Sequence, residues 1–422
     1  MSDHACPQHI ALVAQLKQLL MDAGYCVNAI NRQSAVARNF LHYLKQRGVA
    51  ISAVQPAHVA MYLRCELRRY ERRHGRTPRS LKHWRASHTA GIHQLLRMAT
   101  GKWPPAPQAS SASEAFSQKL CAEFERWLDD VRGLASDTIH ELVAEARRFM
   151  HWYLERAVSV DDLGRLTIAD IDAYMQARSG SLRRISRKSM AQRLRCLMRF
   201  AHASGRTSRD LSACVVAPTL YAYESIPSTL SQHQIDAVLR ICHADHSPKG
   251  LRDHAIVVLL TNYGLRAGEI ARLRLDDIDW RRDRLHVRHS KTDSQSVLPL
   301  LPAVGAALLA YLRRGRPATN AREVFIRAHA PYRGFANGSS LYTPLRRRLD
   351  AAGVQTNGKR GPHAFRHARA ISLLRGGVPP KVIGDVLGHR SSSSVLPYLK
   401  LAVDELRDVS LEISELLTEG AQ

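Results

Sequence analysis

Two proline-rich interruptions decide how this chain can fold. Trp103-Pro-Pro-Ala-Pro-Gln-Ala-Ser-Ser-Ala-Ser113 cannot continue a helix or a sheet, because its prolines lack amide donors and its tail has linker composition. The second break, Pro218 to Pro227, runs into Ser231-Gln-His-Gln234. There a serine and a glutamine three residues on have the spacing of a helix capping box. At 422 residues the chain exceeds one ordinary core. The breaks predict an N-terminal helical domain over 1–105, a linker over 106–113, a second helical domain over 114–217, a linker over 218–228 and a C-terminal domain over 229–422.

The first two segments read as versions of one unit. Phe40-Leu-His-Tyr-Leu-Lys-Gln-Arg47 matches Phe149-Met-His-Trp-Tyr-Leu-Glu-Arg156. Ala57-His-Val-Ala-Met-Tyr-Leu63 matches Ala169-Asp-Ile-Asp-Ala-Tyr-Met175, and Leu95-Leu-Arg-Met-Ala99 matches Leu197-Met-Arg-Phe-Ala201. In both, apolar positions recur at three- and four-residue spacing, the pattern of small helical bundles with basic outer faces. Two unrelated amphipathic bundles share such patterns too, so duplication and coincidence both stand at this point.

Charge narrows the partners. Lys and Arg total 62 against 37 Asp and Glu, a net charge of +25 and a pI near 10.3. The excess is spread along the chain, as in Arg68, Arg69, Arg72, Arg73, then Arg183, Arg184, Arg187, Lys188, then Arg346, Arg347, Arg348. A folded protein this basic repels itself, and a polyanion relieves the repulsion while releasing counterions. Nucleic acid is the leading partner and an anionic membrane surface the runner-up. No run of eighteen apolar residues exists, and no basic start followed by an apolar stretch, which argues against spanning or secretion. The seven cysteines are scattered without a Cys-x-x-Cys, which argues against a disulfide framework or structural zinc and suits a reducing cytoplasm.

The third segment mixes periods. Leu251 to Thr261 reads as a buried helix ended by Gly264, and a further helix opens at Ala267. Arg284-Leu-His-Val-Arg-His289 alternates as a strand, Lys291-Thr-Asp-Ser-Gln295 as a turn, and Ser296-Val-Leu-Pro-Leu300 as the returning strand. Helices are expected from about Ala303, Leu341, Phe365 and Pro380, with an amphipathic helix over Val403 to Leu417.

Four short signals fall in order within that segment: Gly264-Leu-Arg-Ala-Gly-Glu269, Lys291 in the turn, His363-Ala-Phe-Arg366, and Leu387-Gly-His389 followed nine residues later by Tyr398. Taken singly each has a plainer reading. A lone arginine is most often a surface ion pair, a turn lysine is solvated, and most tyrosines pack. Together they resemble the tyrosine recombinase or phage integrase family, whose catalytic domain carries an Arg, a Lys, a His-x-x-Arg, a Leu-Gly-His and a Tyr in this order. The likeness covers roughly 229–405, and 114–217 resembles the family's helical, SAM-like core-binding domain. It implies a mainly α fold with a small β-hairpin sheet in the catalytic domain and helical DNA-binding domains before it.

The resemblance implies catalytic roles for Arg266, Lys291, His363, Arg366, His389 and Tyr398, with Glu269 in support. The chemistry accounts for those residue types. Attack on a phosphodiester gathers negative charge on the non-bridging oxygens, and permanently charged guanidinium forks hold such oxygens bidentately. Arg266 and Arg366 take that task. A phenol is both an adequate nucleophile and an adequate leaving group, which suits Tyr398 for a covalent link that conserves bond energy without ATP. Lys291 supplies a proton to the departing 5′ oxygen, while His363 and His389 bond the phosphate or the tyrosine, His363 as acceptor of the phenol proton. Glu269 orients Arg266 or a nearby amide. His363 and His367 stand four apart, a spacing that holds zinc, but Ala364 stands where a zincin has glutamate and no cysteine ligands lie near. No cofactor, metal or nucleotide is therefore expected. In one departure from the family's pattern, Pro397 precedes Tyr398 where many relatives continue a helical run; it predicts that Tyr398 opens a helix.

The resulting expectation is a cytoplasmic, nucleoid-associated prokaryotic enzyme. It cuts and rejoins double-stranded DNA through a 3′-phosphotyrosyl intermediate during integration, excision or transposition of a mobile element. The resemblance implies a homotetramer, or an assembly with sister recombinases, on two DNA sites. A type IB topoisomerase or telomere resolvase would use the same residues, and a non-catalytic accessory DNA-binding protein would not need Tyr398.

Overall fold

The structure is a computed structural model and describes residues 7–105, 107–156, 163–221, 228–289, 294–356, 358 and 360–388. The chain divides into two compact units, Met1–Pro104 together with Ser225–Gln422, and Pro105–Glu224. Within the described residues it is mainly helical, with one three-stranded antiparallel sheet. No described helix is long and apolar enough to cross a membrane.

Residues 7–100 form a four-helix bundle of α1 (Pro7–Asp22), α2 (Val27–Gln46), α3 (Pro56–His74) and α4 (Leu81–Thr100). The chain's own signals set these limits. Pro56 opens α3 where no amide is needed, Gly75 closes it at φ 64°, and the Ser80 hydroxyl accepts the His83 amide at the start of α4. Ile30, Ala37, Phe40, Leu41 and Leu44 fall on the buried face of α2 at helical spacing.

The second unit repeats this plan with α5 (Ala112–Arg126), which runs on through a π-helical stretch, α6 (Ser136–Leu154), α7 (Ile168–Ser179) and α8 (Arg184–Ala203). The likeness extends to ring geometry. Phe40 meets Tyr62 edge-on with centroids 5.2 Å apart, and Phe149 meets Tyr174 edge-on at 5.1 Å. Tyr43 and Tyr62 lie 5.3 Å apart, as do Trp152 and Tyr174. Arg47 covers the Tyr43 ring at 4.9 Å and Arg156 covers Trp152 at 4.5 Å. Matching rings and a matching cation at sequence-matched positions are more than amphipathic periodicity requires.

The C-terminal part begins with α9 (Gln232–Ala244), capped as its sequence predicts. The Ser231 hydroxyl accepts the Gln234 amide, and the Gln234 side chain accepts the Ser231 amide. Then follow α10 (Pro248–Tyr263), α11 (Ala267–Arg272), β1 (Ile278–Asp279), β2 (Arg284–His289), β3 (Ser294–Pro299), α12 (Pro302–Arg314), α13 (Tyr342–Ala351), α14 (Pro362–Arg375) and α15 (Pro380–Val386). Three boundaries differ from expectation. The return strand starts at Ser294, inside the expected turn, because β2 pairs in register as far as His289↔Ser294. Helix α14 starts at Pro362, whose fixed φ suits a first turn, so His363 lies inside the helix. Strand β1 has no forerunner in the sequence, since two residues are too few to show alternation.

Helix α10 is buried from Leu251 through Leu260 with little interruption and forms the axis on which α9, α12 and α14 pack. Tyr263 ties its end to the sheet: its hydroxyl donates to the Pro299 carbonyl at 2.6 Å and accepts the Leu301 amide at 3.0 Å. The hairpin therefore leaves the core at a fixed height beside the end of α10. In the second unit, Phe149 is fully buried at the centre of the aromatic group. Truncation by Phe149→Ala should cost about 3–5 kcal/mol, measurable as a lowered urea midpoint of the full chain.

Candidate active site

The site grows from the end of α10. Gly264 adopts φ 64° and its amide bonds the Leu260 carbonyl, so the helix closes in a left-handed turn. A Cβ there would lie 2.8 Å from Leu387 Cδ2, so glycine is required by both conformation and space. The turn delivers Arg266 to the start of α11 with 22% of its side chain exposed. Its Nη1 donates to Glu269 Oε1 at 2.8 Å and its Nη2 to the Gly388 carbonyl at 2.9 Å.

Glu269 is buried and accepts from three donors. Its Oε2 takes the Arg266 amide at 2.7 Å, and its Oε1 takes both the Arg266 guanidinium and His289 Nδ1, each at 2.8 Å. Burial by itself would raise this carboxyl group. The bonds from His289, the Arg266 amide and the Arg266 guanidinium outweigh that and hold it below the usual glutamate value. His289 in turn places Nε2 2.8 Å from the Ser296 hydroxyl. It occupies the last inward position of β2, following Leu285 and Val287, diagonally across from Ser296 on β3.

Arg366 is buried on α14. Its Nη1 donates to the Gly264 carbonyl at 2.8 Å and its Nη2 to the Leu387 carbonyl at 2.5 Å. Two guanidiniums from distant points in the sequence thus dock on the consecutive carbonyls of Leu387 and Gly388. His363 is exposed one turn before Arg366. His367 is half-buried, and burial, with His363 and Arg366 adding to it, pushes its imidazole down to about 4, so it is uncharged at neutral pH. The His363 and His367 rings are 6.3 Å apart, and no group of three or more His, Cys, Asp or Glu among the described residues is arranged to hold a metal ion.

The structure brings Arg266, Glu269 and Arg366 together, with His363 on the same helix as Arg366. Lys291, His389, Tyr398 and the expected helix over 403–417 lie outside the described residues. In the sequence, Lys291 follows the end of β2 by two positions and His389 follows Gly388 directly. Sequence reasoning did not single out His289. The signal available was a histidine at an inward position of an alternating strand, where an apolar residue is the norm.

Because the Glu269 carboxyl is held low in the folded state, its contribution to stability is present above its ordinary value of 4.5 and is lost as pH falls below that. Between about pH 5 and pH 3 the native protein should lose stability more steeply than Glu269→Gln, as read from melting temperatures across that range.

The chain is similar to known proteins over most of its length. The model of the phage integrase family matches residues 228–405. A putative integrase/recombinase of Sinorhizobium fredii, y4rA, is 31% identical over 395 residues, covering 93% of this chain and 91% of its own length. A second from that organism, y4gC, is 56% identical over 188 residues, 44% of this chain and 96% of its own. The tyrosine recombinase XerD of Corynebacterium glutamicum is 29% identical over 294 residues, 66% of this chain and 92% of its own. The fold is similar to XerH recombinase in a post-cleavage complex with palindromic difH (TM-score 0.53, 16% identity, 74% of this chain and 87% of that one). It is also similar to a lambda integrase dimer bound to a COC′ core site (TM-score 0.52, 17% identity, 74% and 86%). With a relative above 30% identity aligned along nearly its whole length, the chain belongs to the phage integrase family and is a tyrosine-type site-specific recombinase.

Proposed function

We propose that this recombinase cuts and rejoins double-stranded DNA with Tyr398 as nucleophile, in the integration, excision or transposition of a mobile element. The phenolic oxygen attacks the scissile phosphorus, the bond from phosphorus to the 5′ oxygen breaks, and a 3′-phosphotyrosyl link forms. Lys291 gives the 5′ oxygen its proton, and His363 accepts the proton of the phenol. Arg266 and Arg366, with His389, hold the non-bridging oxygens as charge gathers there. Glu269 holds Arg266. Attack by the 5′ hydroxyl of a partner strand reverses these steps and joins the exchanged ends.

One observation carries the reading. Two guanidinium forks converge on the carbonyls of Leu387 and Gly388, immediately before His389 and within ten or so residues of Tyr398 in sequence. The similar lambda integrase and XerH structures are DNA complexes, which supports duplex DNA as the partner. A lambda integrase tetramer on a Holliday junction supports a homotetramer, or an assembly with sister recombinases, on two sites. A DNA substrate supports a cytoplasmic, nucleoid-associated enzyme.

The domain reading belongs to the same proposal: a helical DNA-binding domain over 1–105, a core-binding domain over 114–217 and a catalytic domain over 229–422. The shared ring geometry of the two bundles supports a DNA-binding role for the first. So does its exposed basic edge, where Arg64, Arg68 and Arg72 stand on successive turns of α3 and Arg76 and Arg79 follow. Replacing Arg68, Arg72 and Arg76 with glutamate should weaken duplex binding and flatten its dependence on salt by about one unit of slope per lost phosphate contact. Anisotropy titrations across a salt series would test this, and an unchanged slope would remove the first bundle from the DNA interface.

The nucleophile is tested by incubating the full chain with nicked duplexes made from DNA surrounding its own gene, then recovering protein-linked fragments under denaturing conditions. Native protein should yield adducts that map a site, and Tyr398→Phe should yield none. Adducts that persist in Tyr398→Phe would assign the nucleophile elsewhere.

A further inference from the structure

His289 is almost completely buried, yet neither face of its polar edge is idle. Nδ1 meets Glu269 Oε1 and Nε2 meets the Ser296 hydroxyl, both at 2.8 Å. Gly388, at φ 63°, lies against the face of the ring. A Cβ on Gly388 would stand 2.6 Å from Cε1, 2.7 Å from Nδ1 and 2.8 Å from Nε2. Gly388 is also the residue whose carbonyl receives Arg266 Nη2. One imidazole therefore touches the carboxylate that binds Arg266, the backbone that binds Arg266, and both strands of the hairpin.

We propose that His289 is a positioning residue for DNA strand cleavage, holding Glu269 in the orientation that presents the Arg266 guanidinium to the scissile phosphate. An ionised carboxylate has only acceptors, so Nδ1 carries the hydrogen in the bond to Glu269. In the neutral imidazole with that tautomer Nε2 accepts from the Ser296 hydroxyl, a second bond that holds the ring in place. The decisive detail is that Glu269 Oε1 is shared, taking His289 Nδ1 and Arg266 Nη1 at equal distance, while Oε2 is held by the Arg266 amide. The carboxylate is pinned from both sides and meets the guanidinium through one oxygen. With His289 gone, Oε1 loses its second donor among the described residues, and Glu269 can turn to grip Arg266 with both oxygens, the stronger geometry for this pair. That turn draws the fork off the Gly388 carbonyl and away from the phosphate.

The inference rests on the phosphate-binding role proposed for Arg266, and the test separates the two. Full-length variants are compared in single-turnover cleavage of a suicide duplex carrying the mapped site, with the scissile phosphate either native or replaced by a neutral methylphosphonate. The methylphosphonate gathers one fewer negative charge and leans less on a guanidinium. His289→Leu should slow cleavage of the native phosphate by about 10–100-fold. His289→Asn, whose amide can replace the Nδ1 donor, should recover most of that loss. On the methylphosphonate the deficit of His289→Leu should shrink to about threefold or less, as should that of Arg266→Ala. A merely structural defect slows both substrates equally, so equal loss with an unchanged melting temperature overturns the proposal, as does full activity of His289→Leu. Should His289→Leu fail to fold, Ser296→Ala removes only the second hydrogen bond of the ring and carries the test, with a smaller deficit and the same substrate dependence expected. If Arg266→Ala loses as much on both substrates, the phosphate-binding role of Arg266 fails and this inference with it. If Arg266→Ala is relieved and His289→Leu is not, the inference alone fails.

Discussion

A single buried carboxylate fixes the geometry of the described site. In a chain carrying a net charge of +25, Glu269 is an anion placed where water does not reach it. An uncompensated charge there would be costly, and removing one partner of a buried pair typically costs about 3–5 kcal/mol. The carboxylate is offset by a backbone amide, a guanidinium and an imidazole. Those three donors come from the loop after α10 and from the end of β2, so satisfying Glu269 sets the position of the hairpin relative to α11. The left-handed turn at Gly264 and the bare α-carbon of Gly388 leave the room in which these groups meet.

The arginines are part of the scaffold as well as part of the proposed chemistry. Arg366 spans from the carbonyl that ends α10 to the carbonyl of Leu387, and Arg266 reaches the next carbonyl along. Main-chain carbonyls near the end of one helix and just beyond another are the groups that helices leave unsatisfied. A planar fork with five donors can serve two such carbonyls while keeping its charge in place, which an ammonium on a flexible stem cannot do in the same geometry. Residues more than a hundred positions apart are thereby brought into register.

How much of this was readable depends on the range of the signal. Helix limits written in local chemistry were legible: the Ser231–Gln234 capping box, the glycine stop at 264, and the proline at the start of α15. The alternation of Leu285, Val287 and His289 gave the strand and its inward face. Strand β1 was not legible, because two residues gain their conformation from a neighbour rather than from their own pattern. Nor was the sharing of one carboxylate oxygen between Arg266 and His289. Periodicity marks His289 as inward but cannot say that the group across from it is an acid twenty positions earlier.

The two bundles make the same point about what a sequence repeats and what it varies. The ring positions persist, yet their polar partners do not. Tyr174 donates its hydroxyl to the buried Glu145 at 2.6 Å, and Glu145 also binds Arg148. The matched position in the first bundle, in the alignment of Phe40 with Phe149, is Val36, which is buried and apolar. Tyr62 instead meets the charge of Glu66, one turn further along its own helix, in a setting where burial already holds its hydroxyl protonated. Ring shape and edge-on contact therefore recur in both cores, while the acidic group near the tyrosine lies on a different helix in each.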